Sequence, residues 1–233
     1  MSKNKSMNAW FVAGTDTGVG KTLVAAALIT RLRERHTRVI GMKPVAAGAE
    51  RLADGTVRND DVVALQAASS LHAPSSLVNP YLLMAAASPH IAARRDGVVI
   101  EIARIVQAFA SLRERADAIV VEGAGGFRVP LTDTLDGADL AVALGLPIVL
   151  VVGLRLGCLN HALLTADSID AHGLRLAGWV ANRIDADMPE QDANIELLTR
   201  RLDAPCLADL PHGRPPNVAA AAARLSLPDE FFE

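Results

Sequence analysis

Residues 14–22 read GTDTGVGKT; they follow the apolar run WFVA (10–13) and open a long alanine-rich segment. A strand that feeds a glycine-rich turn, which then opens a helix, is the setting in which such a turn cradles phosphate. Backbone N–H groups of Gly18, Val19 and Gly20 and the helix N-terminus present partial positive charge. Lys21 adds a full charge suited to β- and γ-phosphate oxygens, and the Thr22 hydroxyl is of the kind that holds Mg²⁺. Five residues, not the commoner four, separate Gly14 from Gly20-Lys21-Thr22. The plain alternative is an ordinary strand-to-helix turn with a surface lysine.

The rest of the chain suits one domain of this kind. At 233 residues, 51% hydrophobic and 21% charged, it can bury a sizeable core, and an open α/β sheet of this size forms a single unit. The expected division is a flexible tail over 1–8 and one catalytic domain over 9–233. A formal net charge of −3 without a Lys/Arg cluster, and only 3% aromatic residues, leave no footprint for nucleic acid. Cys158 and Cys206 match no zinc spacing and read as reduced thiols of a cytoplasmic protein. The apolar run after the basic N-terminus is too short for a signal peptide, and no stretch is long enough to span a bilayer.

Short apolar runs alternate with segments of helical period. Residues 10–13, 38–43, 118–122, 147–153, 176–182 and 204–210 read as strands, and 22–35, 100–115, 160–172 and 190–202 as helices. Several strands are apolar at consecutive positions, as strands covered on both faces must be. The alternation predicts an α/β fold with a mostly parallel central sheet, right-handed crossovers and helices on both faces. Ligands then bind at the carboxyl ends of the strands. Glu122 ends the run AIVVE and is followed by Gly123, Ala124 and Gly125, whose backbone can approach a ligand closely. A magnesium ion bridging two phosphates takes a carboxylate from elsewhere in the fold, and Glu122 and Asp61 in RNDD are the candidates. A solvated strand-end carboxylate and a helix N-cap are the respective alternatives. Lys43 closes the second strand ahead of Pro44 and reads either as a solvated lysine or as a group facing the phosphate loop.

Taken together, GTDTGVGKT, KPVAAG (43–48), RNDD (58–61), NPY (79–81), SPHIAA (88–93), VEGAGG (121–126), VVGLRLGCLNHALLTA (151–166) and GWVAN (178–182) resemble the dethiobiotin synthetase family, in family order across most of the chain. The resemblance implies a P-loop NTPase fold and an ATP- and Mg²⁺-dependent ring closure. In it 7,8-diaminononanoate and CO₂ give dethiobiotin through a carbamate and a carbamic-phosphoric anhydride. It further implies that Lys21, Lys43 and Thr17 face the carbamate and phosphoryl oxygens, that Thr22, Asp61 and Glu122 organise magnesium, and that Asn182 and Pro211 border the adenine. By the same resemblance Gly157, Cys158 and Asn160 bind the far carboxylate of the diamino acid from a neighbouring subunit, which makes the protein a homodimer. Taken singly, Asn160 reads as an N-cap and Cys158 as a small packed residue.

This chain departs from the family pattern at several positions. Gly18 stands where some members carry glutamate, Ala47 replaces the serine of KPVASG, and Arg155 occupies a position that can be lysine. PHGRPPN (211–217) is shorter than its counterparts and lacks their acidic residue. Asp16, a carboxylate in a phosphate loop, must turn toward a cation or a backbone donor. Two other classes share the sheet: nucleotide-dependent dimerisation switches, whose loop carries a signature lysine where Asp16 stands, and amide-forming cobyrinate synthetases, which need a glutaminase domain for which this chain is too short.

Overall fold

The computed structural model describes residues 8–213 and 215–232, so the tail expected over 1–8 lies outside the described residues except for Asn8. In chain order the first elements are β1 (Ala9–Gly14), α1 (Lys21–Leu32), β2 (Val39–Met42), β3 (Val45–Ala47), β4 (Glu50–Arg51), β5 (Val57–Arg58), α2 (Asp60–Ala68), α3 (Ser75–Val78), β6 (Tyr81–Leu83) and α4 (Pro89–Arg95). Then follow α5 (Ile102–Arg113), β7 (Ala118–Glu122), α6 (Gly137–Leu144), β8 (Ile148–Gly153), α7 (Cys158–Ala171), β9 (Leu176–Asn182), α8 (Gln191–Arg201), β10 (Cys206–Leu210), α9 (Val218–Arg224) and a 3₁₀ turn, Asp229–Phe231.

The central sheet has six strands in the order β10-β9-β8-β1-β7-β2, every neighbouring pair parallel. Its composition follows from burial on both faces. Along β1, Phe11 and Ala13 enter one core with α5, α6 and α7, while Trp10 and Val12 enter a second with α1, α2 and α9. No position of β1 faces solvent, which explains the unbroken apolar run. In β9 the alternation breaks at Ala177, where the register with β8 skips a residue, a bulge that puts Ala177 and Trp179 into opposite cores.

All six expected strands are present, and the four expected helices appear with ends shifted by one to three residues. Lys43 is a correction: β2 ends at Met42, and the Lys43 backbone N–H leaves the sheet for Val78 O at 2.9 Å. The fold also contains a parallel pair β3/β6 and an antiparallel pair β4/β5. These strands are two or three residues long, too short for periodicity to reveal.

The C-terminal segment closes the second core. Phe231 is fully buried and stacks on Trp10 with ring centroids 5.0 Å apart, and Arg35 lies over the Phe232 ring. Removing the Phe231 ring leaves a cavity against the first strand, so Phe231→Ala should lower the unfolding free energy by about 3–5 kcal/mol in urea denaturation. Val99→Ala, at a position 75% exposed, should change it by less than about 0.5 kcal/mol. Equal effects would contradict this packing.

Candidate active site

The phosphate loop leaves β1 and returns into α1. Gly18 and Gly20 have φ of 74° and 94°, in the left-handed region that disfavours any side chain. A Cβ on Gly20 would also stand 2.2 Å from Asn182 Nδ2. Val19, between them, is 1% exposed and pegs the loop into the core beneath α1. Asn182, at the end of β9, donates from Nδ2 to Val19 O at 2.8 Å. Lys21 donates from Nζ to Asp16 O at 2.9 Å. Burial, and then the nearby Lys43 charge, pushes the Lys21 pKa down to about 8, with Glu122, Asp61 and Asp16 pulling the other way.

Four side chains meet beside this loop. The Thr22 hydroxyl lies 2.7 Å from Asp61 Oδ1 and 2.9 Å from Glu122 Oε1, so its single proton serves one carboxylate at a time. Lys43 Nζ lies 2.6 Å from Glu122 Oε1 and 2.9 Å from Asp61 Oδ2, and donates also to Gly123 O at 3.2 Å. Lys43 is 3% and Glu122 1% exposed, so neither is the solvated strand-end group that spacing alone allows. Burial opposes the Lys43 charge, but Glu122 and Asp61 outweigh it and hold the ammonium above its ordinary pKa. Burial lifts the Glu122 carboxyl above the usual range against the pull of Lys43. For Asp61 burial is outweighed by Lys43 and by hydrogen bonds from Lys43 and Thr22, and its pKa is lowered. Asn59 is the N-cap of α2, accepting from the Asp61 and Val62 amides, which frees Asp61 in the first turn to face the loop.

A cleft of about 430 Å³ adjoins this cluster. Thr17, Lys43, Asp61 and Ser88 are its polar lining; Val45, Ala47, Ala86, Ala87, Pro89, Ala124, Gly125 and Val129 make up the rest. Gly157, Cys158 and Asn160 do not line it. They stand at the start of α7, where Gly157 (φ 97°) takes the N-cap place and Asn160 is in the first turn, so the N-cap reading of Asn160 is corrected. Cys158 is 2% exposed, and burial raises its thiol pKa, which makes it a packed residue. Pro211 is exposed just beyond β10, in the strand-end row that includes Asn182. The Arg155 guanidinium, paired with Asp16, escaped sequence reasoning because the two lie 139 residues apart.

Comparison with known proteins agrees with the motifs. Residues 8–216 match the family model described as an AAA domain. The chain is 56% identical over 220 residues to a protein of Aromatoleum aromaticum named ATP-dependent dethiobiotin synthetase BioD, covering 94% of this chain and 97% of that one. It is 55% identical over 218 residues to the protein of that name from Ralstonia nicotianae, covering 93% and 94%. Among solved structures, MinD from Pyrococcus horikoshii, complexed with Mg-ADP, superimposes with a TM-score of 0.55 at 17% identity over 92% of this chain and 91% of that one. The signal recognition particle receptor FtsY from Elizabethkingia anophelis gives 0.54 at 15% identity over 100% and 65%. At such identities the structural likeness speaks for the fold alone.

The Lys21 environment has a testable pH signature. Its folded pKa of about 8 lies below the ordinary 10.5, so below pH 8 the full cost of burying the charge is present. Between these values the unfolded chain holds a proton the folded chain has released, and stability rises with pH. Lys21→Met should therefore raise the stability of the ligand-free protein at pH 7 and lose that advantage by about pH 10.5. Urea denaturation at the two pH values checks this; a gain undiminished at high pH would contradict it.

Proposed function

The chain belongs to the family of ATP-dependent dethiobiotin synthetases, ATP-dependent ligases of biotin biosynthesis, and from that membership we propose that it closes the ring through a carbamate and a carbamic-phosphoric anhydride. One amine of 7,8-diaminononanoate adds to CO₂ and loses a proton to give the carbamate. A carbamate oxygen attacks the γ-phosphorus of ATP and ADP leaves. The second amine attacks the activated carbonyl, phosphate leaves, and the cyclic urea is closed.

The observation that carries this reading is the cluster of Lys43, Thr22, Asp61 and Glu122 beside the loop lysine Lys21, with Lys43 and Asp61 also lining a cleft whose other lining residues are mostly apolar. Little covalent chemistry falls to the protein in phosphoryl transfer, which leaves it positioning and charge neutralisation. Lys21 and the loop amides hold the triphosphate. Thr17 and Lys43, both in the lining of the cleft, hold the carbamate in line with the phosphoryl group. Asn182 and Pro211, beyond β9 and β10, border the adenine. The apolar walls take the aliphatic chain of the diamine.

The donor set suits Mg²⁺. Thr22 Oγ1, Asp61 and Glu122 are the oxygen ligands a hard cation takes, and Glu122 Oε2 is buried without a hydrogen-bond partner among the described residues. Among those residues no group of three or more His, Cys, Asp or Glu is arranged to hold a metal. The ion would therefore complete its shell with phosphate and water, as Mg²⁺ commonly does. When bound, it supplies positive charge to the β- and γ-phosphate oxygens.

The proposed assembly is a homodimer in which the turn over 157–160 of one subunit receives the far carboxylate of substrate in the other. Leu156, 89% exposed, and Leu164, 59% exposed, flank that turn and support such a contact. The proposed location is the cytoplasm, where the free thiols Cys158 and Cys206 stay reduced; among the described residues no helix is long and apolar enough to cross a membrane.

Incubation with Mg·ATP, bicarbonate and diaminononanoate should yield the cyclic urea by mass spectrometry, and omission of the diamine should abolish it. Lys43→Ala should lower kcat about 100-fold or more while ATP affinity changes less than about threefold, because its charge is needed as the phosphoryl group moves. ATP hydrolysis indifferent to the diamine, or equal losses in kcat and ATP affinity, would contradict the reading.

A further inference from the structure

A carboxylate in a phosphate loop repels the ligand the loop is built to hold, so the use made of Asp16 needs a physical reason. Its groups point to three partners. One carboxylate oxygen accepts the Thr17 backbone N–H at 2.7 Å, the other accepts Arg155 Nη2, and its main-chain oxygen accepts Lys21 Nζ at 2.9 Å. Arg155 lies in the loop from β8 to α7, and its own carbonyl accepts the Cys158 N–H at 3.0 Å, which closes the turn into that helix. The glycine at the N-cap place offers no side chain to the first amides of α7. One short path of hydrogen bonds thus runs from the phosphate-loop lysine, through Asp16 and Arg155, to the opening of α7.

Folding stability does not account for the pair. The Asp16 and Arg155 side chains are 42% and 43% exposed, and an ion pair so exposed contributes about 0–1 kcal/mol. We propose that Asp16 and Arg155 are positioning residues that tie the phosphate loop to the turn opening α7, fixing the amides that receive the substrate carboxylate. The proposal rests on the dethiobiotin synthetase reading above. Since the turn completes the neighbouring pocket in the proposed dimer, each phosphate loop steadies the substrate grip of the other site. Arg155 neutralises Asp16 at the same time, so the loop keeps its attraction for triphosphate.

The test is steady-state kinetics on Arg155→Met, Arg155→Lys, Asp16→Asn and the double variant Asp16→Asn/Arg155→Met, with diaminononanoate and ATP varied separately and thermal unfolding as a check on folding. Arg155→Met should raise KM for the diamine about tenfold with kcat within about twofold, and KM for ATP only about threefold from the Asp16 charge left unpaired in the loop, a split that a general loss of structure does not produce. Arg155→Lys, which keeps the charge, should restore at least half of the loss on a logarithmic scale. The double variant should be no worse than the poorer single one, since both remove the same tie. A rise in KM for ATP alone would make Arg155 a nucleotide ligand and overturn the proposal; so would additive losses, no lysine rescue, or unchanged kinetics. Failure of the unsubstituted protein to form the cyclic urea would remove the reading and the proposal together. Activity in that protein with unaffected variants would remove the proposal alone.

Discussion

The contact between Lys43 and Glu122, 2.6 Å long and shielded from water on both sides, is the constraint to which the site is built. An ammonium or a carboxylate buried alone costs several kcal/mol, so each needs the other in place. Sheet register supplies that placement. Met42, the last residue of β2, pairs with Val121 in the parallel ladder of β2 and β7, so Lys43, just past the end of β2, comes beside Glu122, the last residue of β7. On the other side β7 pairs with β1, with Glu122 opposite Val12, two residues before the phosphate loop begins. One row across the carboxyl edge of three adjacent strands thus holds a lysine, a glutamate and the loop. A register slip of one residue would turn these side chains to the opposite face.

From that row the rest of the chemistry follows. α1 brings Thr22 against Glu122, and α2, capped by Asn59, brings Asp61 against Thr22 and Lys43. Two ammonium groups and two carboxylates balance each other in the ligand-free protein. Lys43 is held by Glu122 and Asp61 together. Its ammonium is therefore fixed in the lining of the cleft.

The sequence made the sheet and the row of strand ends legible because a two-faced strand leaves an unbroken apolar signature, as in AWFVAG and IVLVVG. Glu122 was readable because it ends such a run, and Lys21 and Thr22 because they close the glycine-rich loop that follows one. Lys43 and Asp61 were ambiguous from spacing, and only their mutual distance separates a solvated lysine or an N-cap from an ion pair. Apart from α5, the segment between β2 and β7 holds strands of two or three residues and helices of four to nine, lengths at which local pattern is overridden by packing. The Asp16–Arg155 pair and the brace from Asn182 to Val19 join residues 139 and 163 positions apart. No local rule connects them. The turn over 157–160 stands apart from the cleft because α7 follows β8, whereas the cleft is walled from the β2, β3 and β7 side.

The most direct measurement is a crystal structure with magnesium, a non-hydrolysable ATP analogue and the diamine under bicarbonate. The expected result is a cation held by Thr22, Asp61 and Glu122 against the β- and γ-phosphates, with Lys43 Nζ within about 3 Å of the carbamate and γ-phosphoryl oxygens. A cation bound elsewhere, or Lys43 still locked on both carboxylates with no contact to either reactant, would contradict it.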